Sequence, residues 1–145
     1  VVGPEDFKSF HFNDLPDVTM VIPPRFQLSA PPADAELSRS SLNSLRIEWS
    51  NSNPDFPIDW KIFPVDNELE LLPCDMLNWE SIRGLVIDVG FVDIPMTMFP
   101  SDIPPEGCPM TLRVARIQSL GLPEGFERGE FRSRVTDGTF FRLMP

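Results

Sequence analysis

The chain has 145 residues, and its 22 acidic against 12 basic side chains give a net charge of −10 at pH 7. This charge disfavours phosphate backbones and anionic lipid surfaces as partners. No apolar run approaches the roughly 18–20 residues that cross a bilayer. The length and the 41% hydrophobic content fit one domain with a single core.

Two cysteines and one histidine limit the chemistry of any site. A structural zinc site needs four ligands, and the chain offers only Cys74, Cys108 and His11 of the usual kinds. The sequence also contains no loop with the regularly spaced carboxylates of a calcium site. We therefore expect no metal and no cofactor. Secreted domains of this size usually carry more cysteines, and residues 1–6 lack the pattern of a secretion signal, so we expect reduced cysteines and an intracellular, cytoplasmic location.

Strands are predicted in the first half of the chain. Seventeen prolines disfavour long helices. Residues 18–22 form a short β-branched run, and residues 45–50 alternate apolar with polar side chains, which predicts two strands. Residues 30–43 between them fit one short helix or a flexible link. Residues 51–55 predict a turn that joins residues 45–50 to a strand at 59–65 in a hairpin.

The central segments predict an insertion followed by two more strands. We assign residues 66–82 to the insertion, with a helical turn or two. Residues 83–90 and 91–98 are dense in β-branched side chains and are divided by Gly90, so they are expected to pair with each other.

The C-terminal segments predict further strands. Residues 110–117 alternate, with Met110, Leu112 and Val114 on one face. Residues 130–136 and 139–144 flank an Asp-Gly pair, which is typical of a two-residue hairpin turn.

Residues 45–118 resemble an extended Tudor domain in the order and spacing of these segments. Asp88 and Gly90 fall where the family's barrel strand has its aspartate and glycine. The resemblance implies one mainly β domain with minor helix. In it, a Tudor-like bent five-stranded barrel at about 45–103 packs on a partial nuclease-like (OB-type) module of residues 1–44 and 104–145, with one or two short helices.

The same resemblance implies the positions of a ligand pocket, but the residues at those positions do not suit the family's ligand. Family members that bind methylated arginine surround the cation with aromatic rings. The corresponding positions are Phe56, Lys61, Val86 and Val89, with Phe91 in place of the usual asparagine. Two valines and a lysine cannot cage a cation. The resemblance therefore implies a scaffold in small-RNA silencing or RNA (germ) granule assemblies that does not recognise methylarginine.

Catalytic residues are not expected. His11 lies near Asp14 and Asp17 in the sequence but no nucleophile has a recognisable setting. Asp88 and Asp93 should point to opposite faces unless Gly90 bulges. We therefore predict a protein that is not an enzyme.

The predicted function is protein–protein interaction. We expect a protein or peptide partner. An arginine-rich one would be attracted by the negative charge of residues 1–105, and neither nucleic acid nor membrane is expected to bind. The candidate partner surface consists of Phe63, Phe99, Arg132 and Arg134, with Phe91 as a further aromatic. The alternatives are a β-sandwich structural or host-interacting protein of viral or effector type and a metal-dependent hydrolase that uses carboxylates.

Overall fold

The computed structural model describes residues 7–10, 18–65, 81–121 and 130–145. In these ranges the chain is mainly β, as predicted, with ten strands and one short 3-10 helix at Met96–Met98. The strands are β1 (Phe7–Phe10), β2 (Val18–Val21), β3 (Leu28–Ala30), β4 (Ala35–Ser38), β5 (Ser44–Trp49), β6 (Pro57–Pro64), β7 (Ile82–Ile87), β8 (Phe91–Pro95), β9 (Cys108–Gly121) and β10 (Glu130–Met144). No helix in the described ranges is long and apolar enough to cross a membrane.

Eight of these strands form two sheets. One sheet has five strands in the order β4-β10-β9-β6-β7, and the other has three in the order β3-β5-β8. Neighbours are antiparallel except β4, which runs parallel to β10. β1 and β2 pair separately. The described strands of residues 45–103 are divided between the two sheets and do not close into the predicted barrel.

The described residues form one hydrophobic core cluster between the two sheets. Period-two alternation in β5, β6 and β9 points every second side chain inward, where burial of apolar surface stabilises the fold. The inward residues belong to one buried cluster that includes Leu45, Ile47, Trp49, Ile58, Trp60, Ile62, Met110, Leu112 and Val114. Because this cluster draws on both sheets, they pack face to face as a sandwich.

Two predicted pairings are wrong because the turns cross between sheets. β7 pairs with β6, whereas β8 pairs with β5, so residues 83–90 and 91–98 do not form a hairpin. Gly90, with a φ of 93°, lies in the turn between them in the left-handed region that favours glycine. Residues 51–55 likewise carry the chain from β5 to β6 in the other sheet. The alternation of apolar and polar residues shows which face of a strand is buried, but it does not show which other strand pairs with it.

The predicted C-terminal hairpin is also wrong. β10 runs without interruption through Asp137 and Gly138 and pairs with β9 from Glu130 to Leu143. The Asp137 carboxylate accepts a hydrogen bond from the Leu28 backbone N–H at 2.8 Å, which ties β10 to the edge of the other sheet. Residues 30–43 contain β4 and no helix. The predicted insertion lies outside the described residues except for its last two positions, of which Ile82 begins β7.

Cys108 at the start of β9 is disulfide-bonded and 2% exposed. No cysteine in the described ranges is free. Cys74 is the only other cysteine of the chain and lies outside the described residues. The prediction that the cysteines are reduced is therefore wrong.

Candidate functional site

Four cations share the outer face of the five-stranded sheet. Their residues alternate with core residues along the strands, so their side chains point away from the core. Together with Asp59 and Ala115 they line a shallow depression of about 180 Å³. We call this surface the basic face and define it by Lys61 on β6, Arg83 on β7, Arg113 on β9 and Arg134 on β10.

Three of the four cations form a row across adjacent strands. Lys61 is the direct register partner of Arg83 on one side and of Arg113 on the other. Side chains in such positions have Cβ atoms about 4.5–5.5 Å apart, and like charges directly opposite each other are destabilising. The row therefore costs folding free energy, and sheet stability does not explain it.

Phe63 supports two of these cations. It is half-buried on the same face, two residues beyond Lys61 on β6. The Lys61 Nζ atom and the Arg113 Cζ atom each lie 5.3 Å from the centre of the Phe63 ring. Cation–π attraction at this distance offsets part of the repulsion between the two cations. Phe63 thus contacts two members of the row, and its role in a partner surface stays a prediction.

The positive charge of the basic face is only partly compensated within the described residues. Asp59 is the one carboxylate among the residues that line the depression. Its Oδ2 atom lies 3.8 Å from Arg134 Nη2, at the outer limit of an ion pair. In the described part of the chain, the Arg83 side chain makes no hydrogen bond or ion pair. A carboxylate or other anion that docks here therefore displaces no partner of Arg83 among the described residues.

An apolar strip borders the basic face at the sheet edge. β7 is the last strand of the five-stranded sheet, and its outward side chains are Arg83, Leu85 and Ile87. Leu85 is 65% exposed and Ile87 is 69% exposed, and Val89 in the following turn is 58% exposed. We call Leu85, Ile87 and Val89 the apolar edge. Cationic and apolar side chains thus follow one another along a single strand.

A second charged group lies inside the sandwich. Arg116 Nε and Nη2 donate to Asp88 Oδ2 at 2.9 and 2.6 Å, and both side chains are completely buried. Arg116 Nη1 also donates to the Pro24 carbonyl at 2.7 Å. The Asp88 Oδ1 atom accepts a hydrogen bond from Trp49 Nε1 at 2.6 Å. This network joins both sheets and has no access to solvent, so its role is structural.

The predicted cage positions do not meet in one pocket. Lys61 points outward from the five-stranded sheet, whereas Val86 on the same sheet packs against the core. Phe91 lies on β8 in the other sheet, where the Arg46 guanidinium covers its ring at 4.5 Å. Phe56 is half-buried in the turn before β6, and Val89 is exposed in the turn after β7.

The other predicted surface residues have mixed outcomes. Arg134 belongs to the basic face, as the alternation predicts. Phe99 is wrong as a surface residue because it is 2% exposed and part of the core cluster. The Arg132 side chain and His11 lie outside the described residues.

The two carboxylates considered for catalysis serve separate arginines. Asp88 binds Arg116, whereas Asp93 accepts two hydrogen bonds of 2.8 Å from Arg46. The hydrogen bonds from Arg46 lower the pKa of Asp93, and the same contacts raise the pKa of Arg46. In the described ranges no three His, Cys, Asp or Glu side chains are grouped so as to hold a metal ion.

Sequence reasoning missed two features, of which the alternation contains only the first. The inward series Met110, Leu112 and Val114 continues to Arg116, which predicts a buried arginine in need of a partner. The row of Lys61, Arg83 and Arg113 had no such signal, because it depends on which strands are neighbours.

No known protein family, curated protein or solved structure matches the chain.

Proposed function

We propose that this chain is a non-catalytic binding module that holds an acidic partner protein on its basic face. The observation that carries the proposal is the row of Arg83, Lys61 and Arg113, which sets like charges side by side on three neighbouring strands. Carboxylates of a partner would relieve that repulsion and gain charge-assisted hydrogen bonds from the arginines.

The chemistry of the surroundings favours a peptide over other anions. Exposed apolar side chains at Leu85 and Ile87 adjoin the cations, and Phe63 lies among them. A peptide can offer carboxylates and apolar side chains together, whereas a sugar–phosphate chain offers chiefly charge. The net charge of −10 also repels a long polyanion at a distance, while a short acidic segment meets the local positive potential.

The compartment we propose differs from the cytoplasmic one expected from the sequence. Cys108 is disulfide-bonded, and disulfides persist in oxidising environments such as the secretory pathway and the cell exterior. We therefore place the module in an oxidising compartment. Its partner would then be another secreted or surface-exposed protein.

The strand order favours a different type of fold from the predicted barrel. A three-stranded β3-β5-β8 sheet facing a β10-β9-β6-β7 series has the order of an immunoglobulin-type sandwich. That architecture carries many unrelated functions, so the likeness concerns the fold alone. It agrees with the β-sandwich alternative drawn from the sequence.

The Tudor-like scaffold role in small-RNA or RNA-granule assemblies stays a prediction. It rests on the sequence resemblance, and the distribution of Lys61, Val86 and Phe91 over two sheets gives it no added support. Its own test is titration with a symmetric dimethylarginine peptide, for which the separation of the predicted cage positions over two sheets predicts no saturable binding.

The binding proposal is tested by anisotropy titration of a labelled oligoglutamate peptide. We expect saturable, salt-sensitive binding that weakens about five- to tenfold in Arg83→Gln and in Arg113→Gln. Arg46→Gln is the matched control, because it removes the same charge from the other sheet. An equal loss in the control, or tighter binding of a single-stranded RNA of equal charge, would overturn the proposal.

A further inference from the structure

We infer that the acidic partner binds as an extra β-strand along the outer edge of β7, with an acidic residue opposite Arg83 and apolar residues opposite Leu85 and Ile87. This inference rests on the proposed binding function and goes beyond it. It specifies the conformation of the partner, the strand that it pairs with and the pattern of its side chains.

The edge position of β7 provides the backbone for such pairing. Among the described strands β7 pairs with β6 alone and ends the five-stranded sheet. An edge strand leaves one row of N–H and C=O groups without a sheet partner, and an extended peptide can pair with that row. The six residues of β7 are enough for one short added strand.

The side chains of β7 do not protect this edge in the usual ways. Natural proteins protect sheet edges with lysines, prolines, inward-pointing charges or bulges. β7 contains no proline, its register with β6 has no shift, and Arg83 is its one charged residue. Leu85 and Ile87 are instead more than half exposed on the outward face. An edge of this composition is typical of a surface that another strand covers.

Register fixes what the added strand must carry. Outward side chains of β7 recur at every second residue, as Arg83, Leu85 and Ile87. A paired strand places its own side chains directly opposite, at Cβ distances of about 4.5–5.5 Å. Apolar side chains opposite Leu85 and Ile87 would remove both from water.

Charge disfavours a second copy of this chain as the occupant. If two β7 strands paired antiparallel about Leu85, each Arg83 would lie opposite an Ile87, and neither cation would meet a carboxylate. The two basic faces would also join into one surface, with Lys61 and Arg113 of both copies on the same side. Like charges brought together in this way oppose association.

The test compares three synthetic peptides on the full chain by anisotropy. In the first, two valines and a glutamate alternate with threonines. The second has the same composition in an order that breaks the alternation, and the third is the first with alternate backbone nitrogens methylated on the edge that would face β7. We expect the first to bind about tenfold more tightly than either of the others, because only it pairs fully.

Two variants and one direct measurement locate the site. Leu85→Ser and Ile87→Ser should weaken binding of the alternating peptide more than binding of oligoglutamate, because neither residue contributes charge. Amide hydrogen exchange should show new protection in residues 82–87 when the alternating peptide is bound.

The outcomes separate the inference from the proposal on which it rests. If all three peptides bind equally through charge and the Arg83→Gln variant still loses affinity, strand addition is overturned and the binding function stands. If neither these peptides nor oligoglutamate bind, both are overturned. A dimer in light scattering that Leu85→Ser abolishes would overturn the inference in favour of self-association.

Discussion

Arg116 and Asp88 form a completely buried ion pair, with Arg116 Nη2 at 2.6 Å from Asp88 Oδ2, between the two sheets of the sandwich. Trp49 from the other sheet and the backbone N–H groups of Asn53 and Gly90 donate to Asp88, and the carbonyls of Pro24 and Asn51 accept from Arg116. The Phe26 ring lies 5.1 Å from the Arg116 guanidinium carbon. The pair therefore links β9, the end of β7 and β5, and it anchors the turn from which β8 begins.

Removal of one partner of this pair should be severely destabilising. Asp88→Ala would leave a buried guanidinium without its counter-charge and the Trp49 N–H without an acceptor, so we expect a loss of about 3–5 kcal/mol in the free energy of unfolding. Urea denaturation followed by tryptophan fluorescence measures it. Asp93→Ala is the matched control, because it breaks an exposed Arg–Asp pair, and it should lose far less. Similar losses in the two variants would contradict the structural role of Asp88.

Gly84 should tolerate no side chain. A Cβ atom at this position would lie 2.6 Å from Trp60 Nε1 and 2.7 Å from two indole carbons, because the indole packs directly on the backbone of β7. We expect Gly84→Ala to cost about 1–3 kcal/mol through overpacking. Thermal unfolding gives the loss, and a double-mutant cycle with Trp60→Phe should show coupling, since the smaller ring leaves space. Purely additive effects would mean that the indole is not the obstacle.

The Arg46–Asp93 pair should give a small pH-dependent contribution to stability. Because Arg46 lowers the pKa of Asp93 below its ordinary value of 3.8, the contribution is present above that value and is lost as the pH falls through the lower folded-state pKa. The melting temperature of Asp93→Asn should thus fall below that of the unmodified chain at pH 7 and approach it in strong acid. About 1 M salt at pH 7 should also shrink the difference. A gap that grows on acidification would contradict the sign.

The disulfide at Cys108 should be measurable without any ligand. Denatured but unreduced protein should show no thiol that reacts with Ellman's reagent, because no described cysteine is free and the chain has two cysteines in all. Reduction or Cys108→Ser should lower the free energy of unfolding by about 2–5 kcal/mol. Two titratable thiols in protein purified from an oxidising compartment would contradict the bond and the proposed location.

The row of cations should lower the stability of the fold and strengthen binding of an acidic partner. Arg83 makes no ion pair with the described residues and lies opposite Lys61, so Arg83→Gln removes a repulsion. We expect its free energy of unfolding to equal or exceed that of the unmodified chain by a few tenths of a kcal/mol, while oligoglutamate binding weakens. Chemical denaturation and anisotropy on the same sample measure both. A variant that is less stable by more than about 1 kcal/mol would show that Arg83 has a structural role.

The sequence predicted several single strands and missed how they pair. Residues 45–50 and 110–117 were correctly predicted as half-buried strands because their own alternation shows a buried face. The predicted hairpins at 83–98 and 130–144 were wrong. A glycine or an Asp-Gly pair is compatible with three settings, namely a turn between paired strands, a crossing between sheets and the interior of a long strand, and the local sequence does not distinguish them. The candidate site shared this limit. Arg134 and Phe63 were identified individually, but Lys61, Arg83 and Arg113 come from three strands whose adjacency no local pattern encodes.

The amino-acid sequence by itself determined that this protein is mainly β and acidic, because composition and period-two alternation act residue by residue. Tertiary structure alone decided that Asp88 meets Arg116, that Phe99 is buried and that three cations stand side by side on one face. Those relationships depend on contacts between distant segments. The contacts are determined by the way in which the two sheets bury their apolar faces against each other.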